Sequence, residues 1–201
     1  MTGTVPGIDD AVEIGELVFL RHPVEADRAE FIALRRNSRD HLSRWEPIPP
    51  DGFDAYGDDA FDRELKLSDQ DSQKRLVICR REDGVIVGKL SLGDILRGPA
   101  QFCHFGYWIA EPFTGKGYMT EAVRLGVKYA FETLDLHRVE ANIQPHNEAS
   151  RRVVAKCGFR NEGFSPRYIK IQGIWADHER WALTREEWTT ANANATPNHV
   201  P

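Results

Sequence analysis

Long apolar runs are missing from this 201-residue chain. No stretch approaches the roughly 18 residues that carry a helix across a bilayer, so a helical membrane protein is excluded and no membrane partner is expected. The opening residues, MTGTVPGIDDAVEIG, lack the basic segment and apolar stretch of an export signal. Cysteine is scarce. Cys79, Cys103 and Cys157 form no CxxC pair, which argues against a disulfide framework and a thiolate zinc site. No metal is expected, the setting is read as cytoplasmic, and the thiols are read as ordinary core residues. An excess of positive charge is also lacking: 26 Lys and Arg stand against 31 Asp and Glu, a net −5. A general nucleic-acid binder carries a basic balance, so that class is set aside. A basic protein partner remains compatible with this charge.

What is present suits one soluble domain, 41% hydrophobic and 28% charged. Residues 1–188 are read as that domain and 189–201, TTANANATPNHVP, as a disordered tail, because it has almost no large apolar side chains. Leu17 to Arg21 reads as a strand. Glu25 to Asn37 has Ala29, Ile32, Ala33 and Arg36 at helical spacing. Ser38 can cap a short helix through Trp45, and Asp58 to Ser68 is a further helix. Residues 46–60, rich in Pro, Gly and Asp, read as a loop. Arg75 to Arg80 and Val85 to Leu92 flank a hairpin signal, Glu82-Asp83-Gly84. Gln101 to Ile109 is an aromatic strand. Tyr118 to Leu134 carries one apolar stripe at helical period. Arg138 to Gln144 alternates, with Val139, Ala141 and Ile143 on one side and Asn142 on the other. A helix capped by Asn147 follows. Tyr168 to Ile171 and Ile174 onward form a second hairpin, and Glu179 to Thr184 is a last strand. The fold class is α/β: a mixed, mostly antiparallel sheet with helices on both faces.

Thr114-Gly115-Lys116-Gly117-Tyr118-Met119 lies between a strand and a helix. Two glycines there permit backbone conformations that side chains forbid. They expose N–H groups beside a helix N-terminus, a setting that suits phosphate. A P-loop is excluded because Gly117, not Ser or Thr, follows Lys116. A Rossmann turn is excluded because Thr120 stands where a third glycine belongs. The plain alternative is a tight strand-to-helix turn. Asn142, Asn147 and Ser150 form a second group, for which a plain N-cap and a first-turn residue are the simpler readings. Glu111 and Glu140 are candidate bases, with solvated carboxylates as the alternative. Asp177-His178 is a candidate acid/base pair, more commonly a strand-edge pair without a role. His104 and His137 are read as structural.

Together the segments HLSRWEPI, HFGYWI, TGKGYMTEAV, HRVEANIQPHNEASRRVVAKCGFRNEGF and GIWADHERWALTREEW resemble the GNAT superfamily of N-acetyltransferases, in its RimJ/RimL branch, over about residues 15–188. The resemblance implies a single domain with a central splay between two strands. It implies acetyl-CoA as co-substrate, and a basic protein N-terminus, such as that of a ribosomal protein, as acceptor. The family's diphosphate loop, Gln/Arg-x-x-Gly-x-Gly/Ala, maps onto Thr114, Gly117 and Met119. Thr114 and Met119 depart from it, but backbone amides do the binding. The resemblance thus assigns Thr114, Gly115, Lys116, Gly117, Tyr118, Met119 and Thr120 to the cofactor. It adds Ile109 and Ala110 near the thioester carbonyl, Asn147 as a CoA contact, and Arg152 toward the phosphates. Ser150 matches a serine proposed to protonate the leaving thiolate. A glutamate found in some relatives is Asn142 here, a tyrosine acid is Val154, and another glutamate falls on Ile169. Asn142 and Glu111 therefore stand as candidates for handling the amine's proton.

The missing glutamate bears on the acceptor. An α-amine with a pKa of about 7.7–8 is roughly one-tenth neutral at pH 7, whereas lysine, at about 10.4, is under a thousandth neutral. The difference is about 3.5 kcal/mol, so an N-terminus needs only a held water where a lysine needs a stronger base. Three alternatives stay open: a GNAT acting on a small amine, a CoA-binding regulator without catalysis, and accessory RNA or ribosome contact through Arg151, Arg152, Arg160 and Arg167.

Overall fold

The computed structural model describes residues 7–195. The elements, in chain order, begin with β1 (Ala11–Ile14), β2 (Val18–Arg21), α1 (Arg28–Asn37), α2 (Arg39–Leu42) and α3 (Asp58–Lys66). The central strands are β3 (Asp69–Gln70), β4 (Gln73–Arg80), β5 (Ile86–Leu96) and β6 (Phe102–Ile109). Then come α4 (Tyr118–Lys128), β7 (Arg138–Ile143), α5 (Glu148–Lys156), β8 (Arg160–Ile171), β9 (Ile174–Thr184) and α6 (Arg185–Ala195). The sheet runs β1-β2-β4-β5-β6-β7-β9-β8, with β3 beside β4. Among the described residues every pairing is antiparallel except β6 with β7.

Period-two alternation sorts the side chains onto two faces. On β4, Leu76 and Ile78 join the core beneath α4 and α5, while Val77 and Cys79 join the core beneath α1 and α3. The second core stacks Phe31 against Phe61, centroids 5.3 Å apart, with Trp108 of β6 edge-on to Phe31 at 5.6 Å. Helix α4 lies close on the sheet at Gly126. A Cβ there would meet Leu90 Cδ2 at 2.3 Å, so any larger residue requires the Leu90 side chain to move. The predicted stripe of α4 is buried as expected: Ala122, Val123, Val127, Ala130 and Phe131 are almost fully enclosed. The helix widens to a π turn over Tyr129–Thr133 before it ends.

The β6–β7 pairing is short. Phe102, Cys103 and His104 lie opposite Arg138, Val139 and Glu140, and no pairs follow. The two strands therefore diverge over Phe105–Ile109 and Ala141–Ile143. This is the expected splay.

Four details differ from the sequence reading. Strand β1 was not anticipated, because AVEI is short and half-exposed. Strand β8 starts at Arg160, well before Tyr168. It is an exposed edge strand with little apolar patterning. The hairpin arm and the last strand are one continuous strand, β9, because Asp177 and His178 stay in the ladder opposite β8. The expectation of disorder from residue 189 fails as far as Ala195, since α6 runs Arg185–Ala195. Trp188 anchors it on Phe131, centroids 5.6 Å apart. The Glu187 carboxylate accepts from Thr184 N–H at 2.9 Å and so caps its start. The rest of the predicted tail, 196–201, lies outside the described residues.

Candidate active site

The turn after β6 leads into α4 through two left-handed glycines, Gly115 at φ +75° and Gly117 at φ +84°. Gly117 is the N-cap residue, and no side chain caps the helix. Thr114 N–H donates to Glu111 O, and Glu121 N–H donates to Gly117 O. Between them, the N–H groups from Gly115 to Thr120 have no acceptor within the described chain. Six adjacent donors at a helix N-terminus, where the helix dipole is positive, form a cradle for an anion of several oxygens. Glu121 fixes the turn from below. Its carboxylate accepts from Glu16, Leu17 and Val18 N–H at 2.8, 2.7 and 2.7 Å, tying α4 to the start of β2.

The cradle opens into a cleft of about 390 Å³ that follows the splay. The sequence-predicted residues Ile109, Thr114, Gly115, Gly117, Tyr118, Met119, Thr120, Asn147, Ser150 and Arg152 all line it. Lys116 contributes its N–H, while its ammonium lies 5.5 Å from the Phe113 ring centroid. Ala110 is not on the cleft wall. It is fully buried and its N–H donates to Val87 O at 3.0 Å. That bond also sets the ladder's alternation. With residue 110 bonded to β5, Ile109, opposite Gly88, has its N–H and C=O turned the other way, into the gap beside β7.

Asn147 caps α5, its Oδ1 accepting from Ser150 N–H at 3.1 Å. The simple capping reading is therefore correct, yet the residue also lines the cleft, where its amide N–H groups remain available. Ser150 Oγ lies 2.7 Å from Tyr107 Oη. Burial pushes the Tyr107 phenol well above its ordinary range, so it stays protonated, and the two hydroxyls share one hydrogen bond in which either can donate. Tyr107 was missed by sequence reasoning. The available signal was parity: it alternates with Phe105 and Ile109 on the face that α5 covers.

Neither candidate for the amine's proton lines the cleft. Asn142 sits at odd register to Val139, Ala141 and Ile143, which face α4 and α5, so its side chain emerges on the opposite face, across from Arg180. Glu111 is exposed on the short turn beneath the cradle, where its backbone N–H donates to Ser38 Oγ at 3.1 Å. Val154, at the position of the family's tyrosine acid, is wholly buried. Glu140 is bound by Arg138 at 2.6 Å and reached by His104 at 3.3 Å, so it is structural. His178 donates within its own strand, Nδ1 to Ala176 O at 3.0 Å, and burial lowers its pKa. Sequence reasoning also missed His41, Trp45, Glu46 and Lys156 on the cleft wall. Glu46 lay in the quoted segment HLSRWEPI, and only its distance in sequence hid it.

Burial raises all three thiols, Cys79 to about 12, Cys157 to about 11, and Cys103 further. None is a thiolate at neutral pH, so none is a ready nucleophile.

A splayed parallel pair with an anion cradle at its mouth defines an acyl-carrier transferase. The match to the acetyltransferase (GNAT) domain family covers residues 18–160, and the chain belongs to that family. Its relatives support the RimJ/RimL type. A probable N-acetyltransferase, YjcK, of Bacillus subtilis is 35% identical over 84% of this chain and 94% of its own. The [ribosomal protein uS5]-alanine N-acetyltransferase of Escherichia coli is 32% identical over 76% of this chain and 79% of its own. Mycobacterium smegmatis RimJ, solved with CoA-disulfide, superposes with a TM-score of 0.80 at 31% identity, over 96% of this chain and 98% of that one. The chain is an N-acetyltransferase. No helix among the described residues is long and apolar enough to cross a membrane.

Proposed function

We propose that the cleft binds acetyl-CoA and passes its acetyl group directly to the α-amine of a protein N-terminus, with basic ribosomal-protein N-termini beginning in Ala or Ser as the acceptor class. The observation that carries this is the run of six unpaired N–H groups from Gly115 to Thr120, opening onto the splay beside Ser150. The cradle suits a diphosphate, and Arg152 and Lys156 at the cleft edge suit further phosphate. Acetyl-CoA supplies an activated acyl group. The Ile109 N–H stands in the gap to stabilise the oxyanion that develops on the carbonyl. As the C–N bond forms and the C–S bond breaks, Ser150, held by Tyr107, passes its proton to the departing sulfur and regains one, directly or through water, from the amine nitrogen, so that neutral amine and thioester become amide and thiol; a thiol of pKa about 8.5 needs only a weak donor. Asn142 and Glu111, off the cleft, take no part. With every thiol protonated, transfer is direct rather than through an acyl-enzyme.

The α-amine reading rests on the neutral fraction of an N-terminus at pH 7 and on the uS5-alanine activity named for the Escherichia coli relative. Thiol release from acetyl-CoA, measured over N-terminal peptides and free amines, tests it. Peptides beginning in Ala or Ser are expected to react fastest. Turnover of free amines with none of any peptide would refute the assignment.

A further inference from the structure

A second cavity, about 540 Å³, lies on the α1–α2 side, walled by Arg36, Arg39, Pro47, Phe53 and Tyr56 and closed by Gln172 of the β8–β9 hairpin. One residue lines both this cavity and the CoA cleft: Glu46. It is also the sole carboxylate on the cleft wall, among the described residues, where Arg152 and Lys156 are the cations. We infer that Glu46 is the anchor for the acceptor's α-amine: it accepts from the arriving ammonium, which gives up one proton to solvent before it attacks, and then from the N–H of the neutral amine. Building on the acceptor reading above, this puts the acceptor's first residue in the cleft and the following residues in the second cavity.

The anchor is built in advance. Arg35 Nη2 donates to both Glu46 oxygens at 3.1 Å, and Tyr56 Oη donates to Oε2 at 3.0 Å. Burial and the Glu46 charge push the Tyr56 phenol up to about 12, so it remains a donor. The Arg35 guanidinium lies over the rings of Tyr56 and Trp108, 4.9 and 5.3 Å from their centroids. The Glu46 backbone is pinned as well: its carbonyl accepts from Gln172 Nε2 at 3.0 Å, and its N–H donates to Ser43 O at 3.2 Å. A carboxylate offers about four lone-pair sites. Two donors occupy them only in part, and Oε1 has the Arg35 contact alone. The side chain is 27% exposed, open enough to receive an ammonium. An amine, which offers N–H donors in either protonation state, suits a lone anion in a cleft otherwise edged by cations. The second cavity shares Glu46 with the cleft, so it is the adjoining space for the residues that follow.

Binding of an Ala-initiated tetrapeptide amide to the CoA-loaded protein, beside its des-amino analogue, tests this together with steady-state kinetics. Wild-type protein is expected to bind the amine form about tenfold or more tightly than the des-amino form. Glu46→Gln is expected to erase that preference and raise the peptide KM about tenfold, with acetyl-CoA affinity within twofold of wild type. Glu46→Asp should recover part of the loss. Wild type is expected to show a lower KM for the tetrapeptide than for the matching dipeptide, and Ala55→Trp, which narrows the second cavity, should remove that difference. A wild type that turns over the tetrapeptide while Glu46→Gln leaves its KM within twofold would overturn this inference and leave the acceptor reading standing. An amine preference absent in wild type itself, in a protein that does bind peptide, would overturn it without any variant. A wild type that binds no peptide would overturn both.

Discussion

Replacing Gly117 by Ala separates the backbone's role in the cradle from that of any side chain. A Cβ at this position would sit 3.5 Å from Leu17 Cδ1, an ordinary contact, so no clash forces a change. The cost is conformational: φ +84° is left-handed, and an L-residue there costs about 1–2 kcal/mol. The variant can meet that cost in two ways. It can keep the turn and lose stability, for which 1 kcal/mol corresponds to about 2–4 °C in Tm for a chain of this size. It can instead relax the turn, which spares stability but scatters the donors from Gly115 to Thr120. Because ligand stabilises only the folded state with the cradle intact, the two losses are linked. Stability lost by the free protein plus binding free energy lost toward acetyl-CoA should total about 1–2 kcal/mol, or about 5- to 30-fold in affinity if binding alone absorbs it. Denaturant melts of the free protein and calorimetric titration with acetyl-CoA measure both parts. Gly117→Asn, better tolerated in this conformation, should recover much of the sum. A Gly117→Ala protein within twofold in affinity and within about 0.5 kcal/mol in stability would refute the claim that this turn is needed for the cradle.

Ser150→Ala is expected to lower kcat about 10- to 100-fold with acetyl-CoA affinity unchanged, and Tyr107→Phe to lower it less, since it releases the serine without removing it. Steady-state kinetics with an unaltered kcat in Ser150→Ala would remove that residue from the reaction. Glu121→Ala leaves three N–H groups at Glu16–Val18 without their acceptor and should destabilise the protein by about 2–4 kcal/mol in denaturant melts; a loss below about 0.5 kcal/mol would contradict it. His178 titrates below its usual value because it is buried, so the unfolded chain binds more protons at its site than the folded one. Its effect on stability is absent above about pH 6.5 and grows unfavourable as pH falls through that value. His178→Gln should flatten the stability profile between about pH 6.5 and 5; an unchanged slope would show that the imidazole is not the cause.

Much of this was open to reading along the chain because the signals are local. The stripe of α4, the cap at Asn147 and the glycines at 115 and 117 each act within one or two turns, and each lies where its spacing indicated. The splay was anticipated only from family likeness, since nothing in HFGYWI or RVEANIQ alone says that two strands stop pairing after three residues. The candidate base Asn142 lies off the cleft wall for a different reason. Parity predicted that Asn142 and Ile143 point to opposite faces, but not which face holds the cleft. That follows from where α5 packs, a tertiary fact. Tyr107 and Glu46 were hidden for the same cause: one is 43 residues from Ser150, and the other reaches its partners Arg35 and Tyr56 across a loop.

One topological feature brings these parts together. An antiparallel sheet can be strung with hairpins, but a parallel pair needs a crossover, and here β6–α4–β7 supplies it. A crossover helix necessarily begins near the carboxyl end of its first strand, so α4 presents its unpaired N–H groups where β6 ends at Ile109. The same pair that demanded the crossover stops bonding after Glu140, leaving backbone groups of β6 exposed to the gap beside it. Unpaired donors for an anion and unpaired donors for a carbonyl thus lie within one strand-to-helix turn of each other. In an open α/β sheet this is the position at which ligands bind, outside the carboxyl ends of strands where the connection changes direction. Side chains line the gap from two sides: Ser150 and Asn147 from α5, and Glu46 from the segment after α2. If the cradle takes its anion through main-chain N–H groups, as proposed above, the departures at Thr114 and Met119 leave it intact, since the backbone donors of both residues stand in the run from Gly115 to Thr120 and its preceding turn.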